Sequence, residues 1–221
     1  MISCRTVAST RTRKTRAPKR VIRRLDNDER HAQLLALGRA AFVKHAYDEV
    51  SIDELARKAK ISKGLFYYYF PTKRDLYLAG LGQTAQELID KLVNVPRDLA
   101  PRPRASAAVD AYLEHVAGQG AAFLSLMRGG IGSDPEVGQV VEDVRTKILD
   151  EFLVGAPISA LLRGKAMARI AIRGWIGMVE AASIEWLAAR EPAREIVREV
   201  LVDQLFDLLT RMIGRDAERF R

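Results

Sequence analysis

SIDELARKAKISKGLFYYYFPTKRDLYL, residues 51–78, contains three helix starts in 28 residues. Ser51 stands at the N-cap of the first, and Glu54 three residues on completes a capping-box pattern. Behind it Ile52, Leu55, Ala56 and Ala59 recur at i, i+3, i+4 and i+7, one apolar stripe of a helix. After a break at Lys60-Ile61, Ser62 is a second N-cap, and the spacing predicts a helix over Lys63–Phe70. Pro71 ends it, because the residue before a proline is pushed out of the α region. Thr72, with Asp75 in the capping-box position, opens a third helix. Two short helices joined by a tight turn and buttressed by a third form a helix-turn-helix.

At about 100° per residue, Leu65, Phe66, Tyr69 and Phe70 fall on one side of the second helix. Lys63, Gly64, Tyr67 and Tyr68 fall on the other. A cation, a glycine and two phenols facing outward suit a helix entering a DNA major groove, N-terminal residues at base edges and hydroxyls on phosphates. The alternative is a small buried aromatic cluster. Against it, Thr72-Lys73-Arg74 places further donors at the next helix N-terminus, a geometry suited to phosphate. The candidate DNA contacts are Ser51, Ser62, Lys63, Gly64, Tyr67, Tyr68, Thr72 and Lys73, with Tyr69 leaning inward and at most touching a phosphate.

These residues carry a family resemblance. From Arg30 to Leu81, LLALGRAAFVKHAYDEVSIDELARKAKISKG followed by LFYYYFPTKRDLYLAGL resembles the N-terminal DNA-binding domain of the TetR family of transcriptional regulators. It covers about a quarter of the chain, and its glycine, aromatic pair, Phe, Lys and Leu at fixed spacing are specific. The resemblance implies an all-helical homodimer with a variable C-terminal domain that binds a small-molecule inducer.

Composition bounds the rest. At 221 residues with 48% hydrophobic residues, the chain is globular and long enough for one large or two small domains. The single cysteine, Cys4, excludes a disulfide framework and a cysteine-based zinc site, and fits a cytoplasmic protein. No apolar run reaches the ~18 residues of a membrane span. The net charge of +8 is concentrated in Met1–Arg24, which hold nine cations and no acid, leaving the remainder at about −1. Residues 1–25 are expected to be a disordered basic arm. A solvated tail and an organelle transit peptide are alternatives. A DNA arm is favoured because it runs directly into the first helix; its candidates are Arg16, Lys19, Arg20, Arg23 and Arg24.

A helix-turn-helix domain is then expected over 26–80, its first helix capped by the Asp26-Asn27-Asp28 cluster and running to about His45. The 81–221 region is expected to be a helical effector-binding and dimerisation domain, linked by a third helix reaching about Lys91 that can act as a lever. Val95–Arg104, with three prolines in ten residues, reads as a loop. Four helical segments follow: Ala105–Met127, Ser133 to about Phe152, Ser159–Arg190, and Ala193 to about Ile213. Gly129-Gly130-Ile131-Gly132 is better explained as a helix C-cap and turn than as a phosphate loop.

Gly174, Gly177 and Ala181 form a band of small residues in the third segment, and the last is apolar on more than one face. A twofold four-helix bundle follows, with an interface drawn from Gly174, Gly177, Ala181, Val197, Leu201, Leu205, Leu208 and Met212. The effector-pocket candidates, resting mainly on the resemblance, are Tyr112, His115, Phe123, Met127, Arg128, Trp175, Met178, Val179, Glu180 and Trp186. Core packing is the alternative for each. An apolar lining suits a hydrophobic or acyl-chain effector, with Arg128 or Arg173 available to a carboxylate. No cofactor or metal is implied, and no catalytic motif marks an enzyme. The favoured function is a repressor that binds a palindromic operator as a dimer, with an activator of the same fold and an all-helical enzyme as alternatives.

Overall fold

The structure is a computed structural model and describes residues 26–127, 134–151, 162 and 166–213. Among these residues there are eight α-helices and a single 3₁₀ turn at Tyr47–Glu49, with no strand. The helices are α1 (Asn27–Lys44), α2 (Ile52–Ala59), α3 (Lys63–Tyr69), α4 (Lys73–Val93), α5 (Pro101–Met127), α6 (Pro135–Asp150), α7 (Ala166–Ala189) and α8 (Arg194–Ile213).

Most starts follow the expected capping chemistry. Asp26 and Glu29 exchange side-chain and backbone hydrogen bonds at the head of α1. Ser62 Oγ accepts from the Leu65 N–H at 3.1 Å, and Thr72 and Asp75 form a capping box on α4. Ser51 departs from this pattern. Its carbonyl begins α2 by accepting from Leu55 N–H, but its hydroxyl makes no cap bond, and Glu54 turns to Arg57 at 3.7 Å instead.

A first core joins α1 to α4. Leu34, Phe66 and Leu76 are fully buried there, with Phe42 set edge-on to Tyr77 at 5.0 Å. Gly38 allows the close approach of α1 to α4, because a Cβ at that position would lie 2.8 Å from the Leu76 side chain. Leu65 is not part of this core, contrary to the sequence pattern, and is 42% exposed. It sits about 100° from Phe66, at the edge of a stripe that Phe66 and Phe70 alone complete on so short a helix.

The second core gathers α5, α7 and α8 around Leu113, Ile172, Val202 and Leu205. Two boundaries differ from expectation. The Val95–Arg104 loop is shorter, because Pro101 and Pro103 occupy the first turn of α5, where a missing N–H costs no hydrogen bond. α5 is interrupted at Gly120, whose φ of 37° and ψ of −110° are non-helical. α4 runs to Val93, close to the expected end near Lys91, so the helix that opens at Thr72 continues past residue 80 into the second domain. The expected start of the Ser159 helix, apart from Leu162, and the Gly129–Gly132 turn lie outside the described residues.

The expected interface residues divide. Leu201 and Leu205 are buried in this chain's own core, while Val197, Leu208 and Met212 are half-buried against its edge. The outer face instead carries Met167, Ile170, Gly174, Gly177 and Ala181 of α7 with Ile196 and Val200 of α8. Among the described residues, no atom beyond the glycine's own helix backbone and chain neighbours lies within 4 Å of a Cβ at Gly174 or Gly177.

Candidate functional site

Burying Phe66 and Phe70 leaves the front of α3 to solvent. Lys63, Gly64, Tyr67 and Tyr68 are exposed, Tyr68 at 72%. Tyr69 is half-buried, 6.5 Å from the His31 ring and edge-on to Tyr68 at 5.3 Å. Among the described residues, nothing comes within 4 Å of a Cβ at Gly64, which leaves the helix backbone open there.

The charges around this face are positioned rather than loose. Lys63 Nζ pairs with Asp53 of α2 at 2.9 Å, and the carboxylate raises its pKa above the usual lysine value. Lys73 Nζ donates to the Asp48 carbonyl at 3.2 Å and lies 4.6 Å from the Tyr47 ring centre, a cation–π contact. Thr72 presents less than the sequence suggests. Its hydroxyl donates to Asp75 Oδ2 at 2.8 Å, and its N–H is bonded to the same carboxylate, so both donors are occupied by the cap. The arm candidates Arg16, Lys19, Arg20, Arg23 and Arg24 lie outside the described residues.

A second site lies between the domains. Three adjoining apolar cavities run beside α5. The first, about 120 Å³, is bounded by Phe42, Tyr77 and Leu81 of the DNA-binding core and by Tyr112, His115 and Phe123 of α5. The middle one, about 80 Å³, is lined by Tyr112, Trp175, Val179 and Glu180. The outer one, about 130 Å³, reaches Arg104, Lys147 and Glu151. Burial pushes the Tyr112 phenol up, and burial together with nearby Lys91 pushes His115 down, so this histidine favours its neutral form. Glu180 is held by a bidentate pair of bonds from Arg145 at 2.8 and 2.7 Å.

Six of the expected pocket residues therefore line cavity wall: Tyr112, His115, Phe123, Trp175, Val179 and Glu180. Two do not. Met178 is 36% exposed on the outer face of α7, and Trp186 is anchored in the core by its indole N–H to the Pro192 carbonyl. Met127 ends α5 without a described side chain, and Arg128 lies outside the described residues. Arg173 is paired with Glu142. The sequence reading missed the contribution of α1, α4 and α6 to the walls, because their lining residues read equally well as core.

Besides the shared cavity wall, the start of α6 is tied to the DNA-binding domain. Arg74, at the start of α4, forks onto Asp134 with bonds of 2.5 and 2.7 Å and reaches Glu136. These bonds hold the Asp134 carboxyl down to about 2. One turn on, Val137 of α6 is fully buried inside the DNA-binding core. α6 therefore lines the cavities with Val140, Val141 and Val144 while its first turn is built into the helix-turn-helix unit.

A three-helix core presenting an open recognition helix, sharing a helix with an all-helical second domain, defines a helix-turn-helix DNA-binding regulator. Residues 34–79 match the model described as bacterial regulatory proteins, tetR family, and residues 101–209 match the tetracyclin repressor-like C-terminal domain. A crystal structure of a tetR-family transcriptional regulator from Streptomyces coelicolor superposes with a TM-score of 0.80 at 30% identity, covering 89% of this chain and 90% of that one. The HTH-type transcriptional activator FasR of Mycolicibacterium smegmatis is 26% identical over 174 residues, 76% of this chain and 77% of FasR. The regulator FadR from Bacillus subtilis, solved in complex with stearoyl-CoA, shares the fold with a TM-score of 0.64 at 14% identity, covering 79% of this chain and 97% of FadR. This chain belongs to the TetR family of transcriptional regulators. No helix among the described residues is long and apolar enough to cross a membrane.

Proposed function

We propose that this protein regulates transcription as a twofold dimer. Each α3 enters a major groove of a palindromic operator, and a small hydrophobic effector in the inter-domain cavities changes the affinity for DNA. The observation that carries the effector part is α6, which lines the cavities and also supplies Val137 to the DNA-binding core. The outer face of α7 and α8, with Ile170, Gly174, Gly177 and Ala181 beside Ile196 and Val200, supports pairing with a second copy. FadR's bound stearoyl-CoA supports an acyl-chain effector, as does the apolar lining.

Repression is the favoured mode, with effector binding releasing the DNA. By linkage the effector then binds free protein more tightly than DNA-bound protein. FasR is an activator, and that favours a second reading in which the dimer recruits rather than blocks transcription. Transcription in vitro from a promoter that carries the operator, with and without this protein, separates the two. The class itself is tested by a gel shift against the DNA upstream of its own coding sequence: a retarded band that weakens with added salt supports it, and no band at low salt with an intact dimer excludes it.

A further inference from the structure

Taken together, the cavities form one elongated site with a preferred direction. They share walls in series: Tyr112, Val144 and Glu180 between the first and middle, and Leu92, Ala105, Ala108 and Ile148 between the middle and outer. Along α5 they extend from Pro101 to Phe123, of which the stretch before the Gly120 break, Pro101 to Gln119, spans about 27 Å of helix at 1.5 Å per residue. α6 runs alongside in the opposite sense, with Glu151 at the outer cavity and Val140 at the inner one.

The two ends differ in charge. At the inner end Arg39 is taken up by both oxygens of Glu87, Glu180 by Arg145, and His115 favours its neutral form. At the outer end Arg104 and Lys147 line the cavity with a single carboxylate, Glu151. One oxygen of Glu151 accepts from Arg104 at 2.8 Å and from Arg97 at 3.5 Å. The Arg104 residue is 9% exposed, so its guanidinium is held at an apolar boundary with one shared partner. A buried cation so placed can accept a second anion with two parallel N–H bonds.

We propose that the three cavities bind one long-chain anionic amphiphile, head group at Arg104 in place of Glu151 and chain end between Tyr77 and Val140 beside the DNA-binding core. The inference rests on the effector reading above and adds the direction, the anchor and the length of the ligand. It also assigns the regulatory contact: the chain end reaches α6 one turn from Val137, so a chain too short to fill the inner cavity binds without moving the helix-turn-helix unit. A free fatty acid and an acyl thioester share this chemistry. The thioester adds phosphates outside the mouth, where Arg97 and Lys147 stand.

The test titrates the full-length protein with palmitate, palmitoyl-CoA, cetyl alcohol and octanoate, following Trp175 emission from the middle cavity, and repeats each titration in the operator gel shift. Arg104→Gln should weaken both anionic long chains about tenfold and leave cetyl alcohol unchanged. Glu151→Gln, which removes the competing carboxylate, should tighten the anionic chains several-fold, an effect that a purely structural ion pair does not produce. It also serves as the independent variant if Arg104→Gln does not fold. Octanoate should bind without changing DNA affinity. Tighter binding of palmitoyl-CoA, lost in Lys147→Gln, identifies the thioester, and equal binding of palmitate identifies the acid. The site is overturned if both anionic chains bind equally to wild type and to Glu151→Gln, or if Arg39→Gln is the sensitive variant. Failure of every long chain to bind overturns it too, while an intact gel shift in that case leaves the DNA-binding reading standing.

Discussion

Tyr67 and Tyr68 show how far single residues can be read. A turn of about 100° per residue separates them from Phe66 and Phe70, and the structure leaves both exposed. Because neither supports the core, Tyr68→Ala should change stability by no more than about 0.5 kcal/mol and still weaken operator binding, measured by thermal melting and gel shift. Lys73→Ala should weaken binding uniformly across operator sequences and lower the salt slope by about one. Its ammonium is already anchored to Tyr47 and the Asp48 carbonyl, so the proposed phosphate contact would cost little further side-chain ordering. Leu65 was misread because periodicity gives a direction and not a width, and Ser51 because a capping sequence does not compel the cap bond. Gly38 was not singled out at all, since close approach of α1 to α4 is a tertiary fact. Gly38→Ala should cost about 1–3 kcal/mol in denaturant melts, because the added methyl would meet Leu76 at 2.8 Å.

At the scale of elements, α6 is the physical link on which the proposed coupling rests, since it lines the inner cavity and supplies Val137 to the DNA-binding core. Its start was legible, with Asp134 at the cap and Pro135 in the first turn. Its role was not, because an isolated valine does not reveal which core it enters. Val137→Ala should destabilise the DNA-binding core by about 1–3 kcal/mol and reduce the effector's influence on DNA affinity. The Arg74–Asp134 pair gives this junction an acid limit. The Asp134 carboxyl is lowered from 3.8 to about 2, so its contribution is complete above about pH 4 and is lost as pH falls toward 2. Melting followed between those limits should lose part of its pH dependence in Asp134→Asn. The glycines of α7 belong to the same scale: their spacing was visible, but whether they face a neighbour within the chain or open solvent was not. Since a Cβ at Gly177 meets no other element among the described residues within 4 Å, Gly177→Arg should preserve helicity and give monomers in analytical ultracentrifugation.

For the whole molecule, the sequence showed two all-helical units and the helix between them, because capping residues and proline punctuation are local signals. It did not show that the units share walls. The inner cavity is lined by α1 and α4 on one side and by α5, α6 and Glu180 of α7 on the other, residues 39 to 180 in the chain, and no periodicity links them. A ligand bound there, as proposed, would pack against Phe42, Tyr77 and Leu81 of the DNA-binding core. An effector can shift DNA affinity only by its differential affinity for the two states, and a coupling of about 1–3 kcal/mol changes it about 5- to 150-fold.

The most direct measurement is fluorescence anisotropy of a labelled palindromic operator titrated with the full-length protein, with and without saturating palmitoyl-CoA. Two protomers should bind per operator, with an affinity that falls as salt rises and changes at least tenfold with the acyl ligand. A dimer that leaves the DNA unbound at low salt, or binds it with an affinity that no long-chain ligand alters, contradicts the coupling of recognition helix to cavity.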